Sequence, residues 1–97
     1  MLALLLVQGF EALFQVPPQH RLVQVRSRSR GGLVSGTYWE HEEYDAAGRL
    51  VARFESFVEA GPDGHRESGW SKYDPLGQLV GRGALGSAAD DAEHPVR

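Results

Sequence analysis

Three arginines at alternate positions, Arg26, Arg28 and Arg30, are the most distinctive charged feature of this 97-residue chain. Along an extended segment side chains two apart share a face, so the three guanidinium groups would line one side over roughly 13 Å. Each is a planar fork of donors suited to phosphate or carboxylate, which makes the row a candidate anion, nucleic-acid or acidic-partner site. The competing reading is a strand edge blunted by charge, with Glu40 or Glu42 neutralising the row within the fold.

His41 stands among Glu40, Glu42, Glu43 and Asp45, a composition that raises metal binding and acid/base work. On a strand, His41 and Glu43 share one face and Glu40 and Glu42 the other. That gives two ligands per face, where a catalytic zinc needs three from the protein. His65 and Glu67 would complete a set only if the fold brought them to His41; a solvated acidic strand is the simpler reading. His20 and His94 fall in a linker and in the C-terminal tail. Neither Ser35 nor Ser68 lies in a Gly-x-Ser-x-Gly elbow, and Gly81-Arg82-Gly83 lacks the third glycine of a phosphate-binding fingerprint. With no cysteine in the chain, thiolate chemistry is excluded. The expectation is no catalytic residue, no metal and no cofactor.

The aromatics Tyr38, Trp39, Trp70 and Tyr73 form a second candidate surface. Simple hairpin pairing gives Tyr38, Tyr44, Leu50 and Phe54 to the core side and turns Trp39 and Trp70 to the opposite one. Trp70 would then oppose Arg82, in reach of a cation–π contact worth about 0.5–1 kcal/mol. An exposed Trp beside Arg is the composition of an interface hot spot; the alternative is a core beneath a second layer. The candidate partner-binding residues are thus Arg26, Arg28, Arg30, Trp39, Trp70 and Arg82.

The elements that must position these residues show in the periodicity. Leu2, Leu5, Leu6, Phe10, Leu13 and Phe14 recur at helical spacing ahead of Pro17-Pro18, although a short apolar run also suits a buried strand. It lacks a basic leader, and Glu11 and Gln15 interrupt it before the roughly 20 residues a membrane span needs. A cytoplasmic protein without membrane insertion is expected. From Arg21 the period becomes two, Gly31-Gly32 and Gly36 bracket a turn, and Thr37 to Tyr44 is β-branched and aromatic enough for a second strand.

Asp45-Ala46-Ala47-Gly48 then places Asp at the first position of a type I turn and Gly at the fourth. A three-residue loop of this kind, with a left-handed Gly, closes a hairpin in which Tyr44 opposes Leu50, Glu42 opposes Ala52 and Glu40 opposes Phe54. Asp74-Pro75-Leu76-Gly77 repeats the chemistry 29 residues on, carrying Tyr73, Leu79, Val80 and Arg82 in the places of Tyr44, Leu50, Val51 and Arg53. Gly61-Pro62-Asp63-Gly64 between them reads as a plain loop. The phrases from Glu43 to Leu50 and from Tyr73 to Leu79 resemble the YD repeats of RHS-type proteins, which are β-hairpin units with Tyr-Asp leading into a Gly turn. The stretch from Gly36 to Val80 also resembles small uncharacterised cyanobacterial proteins. Two copies enclose no shell, and neither resemblance implies a catalytic or ligand residue.

Composition bounds the rest. At 41% apolar and 24% charged residues the chain is an ordinary globular domain with room for one core. Its net charge of −3 is uneven: residues 1–36 hold four arginines against Glu11, and the remainder is acidic. Nine of the ten cations are Arg. The sequence therefore predicts a mainly β domain over residues 1–85, an antiparallel meander of about five strands curled or rolled into a half-barrel with a short N-terminal helix. Residues 86–97 read as a disordered tail. The function expected is a small non-catalytic interaction module that docks a protein partner or self-associates as a homo-oligomer. An anion or nucleic-acid binder using the arginine row is the alternative.

Overall fold

The computed structural model describes residues 9–84. A short helix, α1 (residues 9–13), precedes β1 (Arg21–Arg30), β2 (Ser35–Tyr44), β3 (Leu50–Ala60), β4 (Arg66–Tyr73) and β5 (Leu79–Gly83). The strands form one sheet in the order β1-β2-β3-β4-β5 with every neighbour antiparallel, an open meander that does not close into a barrel. The expected tail at 86–97 lies outside the described residues, as do residues 1–8. Among the described residues no helix is long and apolar enough to cross a membrane.

Three of the four hairpins are closed by the same backbone device. Gly48 N–H donates to the Asp45 carbonyl and Asp45 N–H to the Arg49 carbonyl, both at 2.9 Å; Gly77, Asp74 and Gln78 repeat the pair at the same lengths. Asp45 Oδ1 accepts from the N–H groups of Ala47 and Arg49, and Asp74 Oδ1 from those of Leu76 and Gln78. These donors, that of Arg49 foremost, hold the Asp45 carboxyl below its usual range. The segment expected to be a plain loop is a third such turn: Gly64 N–H reaches the Gly61 carbonyl and Gly61 N–H the His65 carbonyl. Gly48, Gly64 and Gly77 have φ of 84°, 84° and 88°, the left-handed region that each of these turns requires.

Three single-residue bulges decide which side chains face which way, and each bulged residue is a valine. Tyr44 opposes Leu50 as expected, but Glu43 then opposes Ala52, so Val51 is extra and His41, not Glu40, stands opposite Phe54. The same step recurs 29 residues later, where Tyr73 opposes Leu79, Lys72 opposes Gly81 and Val80 is extra. Since side chains alternate, one inserted residue moves everything beyond it to the other face. The expected core side is thereby corrected: Trp39, His41, Ala52, Phe54, Ser56 and Trp70 share the closed face, while Tyr38, Tyr44 and Leu50 lie on the other. Trp70 opposes Gly83, and Arg82 opposes Ser71, so the expected Trp70–Arg82 pairing does not form.

The third bulge resolves a conflict within β1. Leu22, Arg26, Arg28 and Arg30 have the same parity, yet Leu22 packs against the core and the arginines are exposed. The register steps from Gln24 opposite His41 to Arg26 opposite Glu40, leaving Val25 unpaired and half exposed. Without this step Arg26 would oppose Trp39 on the closed face.

α1 supplies the layer that closes that face. Phe14 stacks on Phe54 at 4.0 Å with the rings 10° apart, and Phe10 meets Trp39 edge-on at 5.3 Å. Trp70 meets Phe14 edge-on at 5.5 Å, and Ser56, between Trp39 and Trp70 in the ladder, keeps that row low between the two indoles. Burying Phe10 and Phe14 contributes about 1.5–3 kcal/mol each, which is what holds so short a helix in place. The helix ends in a Schellman motif: Val16 N–H donates to the Glu11 carbonyl and Gln15 N–H to that of Ala12. The left-handed position, usually glycine, is Gln15 at φ 56°.

Candidate functional site

The face turned away from α1 is open, and its side chains fall into four full rows across the strands, with a shorter one of Arg21, Tyr44 and Leu50 beyond them. The first runs Arg30, Gly36, Glu59, Glu67 and the second Arg28, Tyr38, Phe57, Gly69. The third runs Arg26, Glu40, Glu55, Ser71 and is extended by Arg82; the fourth runs Val23, Glu42, Arg53, Tyr73. Positive charge therefore lies along β1, acidic residues across β2 to β4, and aromatic rings between them. A cleft of about 560 Å³ opens here, with Arg26 and Arg28 on one side, Glu59 and Glu67 on the other, and Tyr38 and Phe57 between.

Part of this charge is matched internally. Glu40 takes Arg26 Nε at 3.4 Å and Arg53 Nη2 at 3.3 Å, and Arg53 also reaches Glu55 at 4.0 Å. Pairs this exposed contribute about 0–1 kcal/mol each, so they orient side chains more than they stabilise the sheet. The Arg28 guanidinium lies 4.9 Å over the Tyr38 ring. Tyr38 in turn donates its phenol to Glu59 at 2.5 Å, and that bond, with some desolvation, raises its pKa. The phenol crosses to Glu59 over Gly36, where a Cβ would stand only 3.0 Å from the Tyr38 oxygen and 2.9 Å from the Val58 carbonyl. Tyr44 is likewise bonded to Glu42, which raises its pKa. Arg30 is exposed and has no ion-pair partner among the described residues.

The chain matches no protein-family model, no curated protein and no solved structure in comparison with each. The functional reading therefore rests on this geometry.

Of the residues singled out by sequence, Arg26, Arg28 and Arg30 do share the open face, and Arg82 lies on it at the far end of the third row. Trp39 and Trp70 do not join them: both pack against the core under α1, which corrects their expected exposure. Sequence reasoning gave Tyr38 to the core side and did not place Glu55, Phe57, Glu59 and Glu67 on the open face, which these residues fill. The parity conflict between Leu22 and the arginines was the signal that would have found them.

The buried polar side chains among the described residues are His41, Glu43 and Ser56. His41 is buried to 2% exposure, its ring 4.5 Å from Phe10 and 5.9 Å from Phe14, and burial lowers its pKa to about 4. Its Nδ1 and the Ser56 hydroxyl find no hydrogen-bond partner among the described residues. His20 Nδ1 meets the buried Glu43 carboxylate at 2.5 Å and ties the α1–β1 connection to the sheet. His65 is in the β3–β4 turn, 3.7 Å from Glu67, whereas His41 opposes Phe54 beneath the helix. Among the described residues no three His, Asp or Glu side chains are grouped as metal ligands.

Proposed function

We propose that this chain is a small non-catalytic module that docks a protein partner on the open face of its sheet. The observation that carries the proposal is the mixed sign of that face, with Arg26, Arg28 and Arg30 at one side, Glu55, Glu59 and Glu67 at the other, and Tyr38 and Phe57 between. Aromatic area flanked by charges of both signs suits a protein surface, where opposite charges fix register and apolar contact supplies affinity. A nucleic acid would gain from the arginine row but meet three Glu carboxylates across the same sheet, where its phosphates are repelled. The pairing of Arg26 with Glu40 and the stacking of Arg28 on Tyr38 weaken that alternative further.

A benzophenone amino acid in place of Phe57, irradiated in cells that express the chain, tests the reading. The expected product is an adduct that protease digests and nuclease does not, and that fades when Arg26, Arg28 and Arg30 are all changed to Gln. No adduct, a nuclease-sensitive adduct, or one indifferent to the three arginines overturns it.

A further inference from the structure

We infer that the partner of the open face is a second copy of this chain, packed face to face about a two-fold axis running along the strands between β2 and β3. The inference rests on the docking role proposed for that face and names its occupant. Such an axis lays β1 over the partner's β4 and β2 over its β3, so each cross-strand row meets itself reversed. Three of the four rows are complementary to their own reversal. In the first, Arg30 falls over Glu67 of the second copy; in the fourth, Glu42 falls over Arg53 and Val23 over Tyr73. In the second, Tyr38 falls over Phe57 and Arg28 over Gly69, which the Phe57 ring covers, so the guanidinium meets an aromatic surface.

The third row sets Glu40 over Glu55, but both of those carboxylates are already held by arginine within their own copy. Glu40 has Arg26 and Arg53, and Glu55 has Arg53. Arg30 has no ion-pair partner among the described residues, which leaves it available to Glu67. A symmetric pairing makes every such contact twice, as an isologous interface requires.

The size of the face fits a modest dimer. The four strands that face their mates, at about 4.8 Å each, and some eight residues at about 3.3 Å give a footprint of about 19 by 26 Å. That is about 500 Å² per copy and about 1,000 Å² in all, the threshold of specific interfaces. Stacked sheets keep their strands within about 30° of one another, so rows near the axis stay in register.

Sedimentation equilibrium of the full chain at low salt, from about 5 to about 500 µM, tests this directly. The wild type is expected to pass from monomer to dimer over that range and to dissociate as salt is raised. Arg30→Glu alone and Glu67→Arg alone each place like charges together at two symmetric points, and each is expected to weaken the dimer at least about tenfold. An equimolar mixture of the two variants, or both changes in one chain, is expected to restore it. Both positions are exposed, and thermal unfolding of each variant checks that the fold persists. A wild type that stays monomeric, single inversions without effect, or a failed rescue overturns the inference. A monomer that still crosslinks a different protein through position 57 overturns the second copy alone and leaves the docking role standing. A monomer that instead binds a thymidine oligonucleotide overturns both.

Discussion

His41 stands directly opposite Phe54 across β2 and β3, and both side chains point under α1. The pair sets the closed face of the sheet, and it places an ionisable ring where water does not reach. Phe10 and Phe14 cover the imidazole, and its Nδ1 has no partner among the described residues to stabilise a charge.

The first prediction follows from that burial. His41 takes up its proton at about pH 4 in the folded chain, against the ordinary 6.5 when unfolded. Between those values the unfolded state binds the proton and the folded state does not, so acidification favours unfolding. Stability is fully present above pH 6.5, falls as pH drops towards 4, and loses about 3 kcal/mol from this group by the bottom of the window. His41→Leu removes the titrating group, so its unfolding free energy should vary much less over the same range. Urea unfolding at a series of pH values measures both, and an equally steep slope in the variant would show that other groups carry the effect.

How much of this was legible in the sequence depends on the residue. Asp45, Gly48, Asp74 and Gly77 disclosed two hairpins because a type I turn with a left-handed glycine needs those residue types at that spacing. The strands beyond the turns were legible as strands but not as faces. Leu50, Ala52 and Phe54 alternate perfectly, yet Val51 is bulged and separates the first from the other two. A bulge leaves the local pattern almost intact while inverting everything after it. The assignment of Trp39 and Trp70 to the outer surface failed for that reason. The third turn was hidden because its aspartate sits at a different place: Asp63 is the third residue of the turn, not the first, and accepts from His65 N–H.

Gly48 is the second test, because backbone conformation alone makes glycine necessary there. A Cβ added at this position would meet nothing within 4 Å, but φ is +84°. Gly48→Val should therefore destabilise by at least about 1 kcal/mol through left-handed strain on a β-branched residue. Gly31 is equally open and has no positive φ, so Gly31→Ala should stay within about 0.5 kcal/mol of wild type. Equal effects at the two positions in chemical denaturation would refute the turn assignment.

Gln15 offers a substitution in the opposite direction. It holds the left-handed position of the Schellman motif at φ 56° and its side chain is exposed. Gln15→Gly should relieve the strain and stabilise the folded chain by about 1 kcal/mol, read as a higher melting temperature. A lower one would mean that the α1 terminus does not persist in this conformation in solution.

The central claim is that α1 closes the Trp39/Phe54/Trp70 face and leaves the Tyr38/Phe57 face to bind. Nuclear magnetic resonance of the wild type across a concentration series at low salt tests it most directly, with amide, Trp indole and His ring signals followed together. The account predicts shifts that grow with concentration at Arg28, Arg30, Tyr38, Phe57 and Glu67, while the Trp70 indole and the His41 ring stay fixed. Shifts centred on the Trp70 indole and His41, with the Tyr38 and Phe57 signals unmoved, would contradict it.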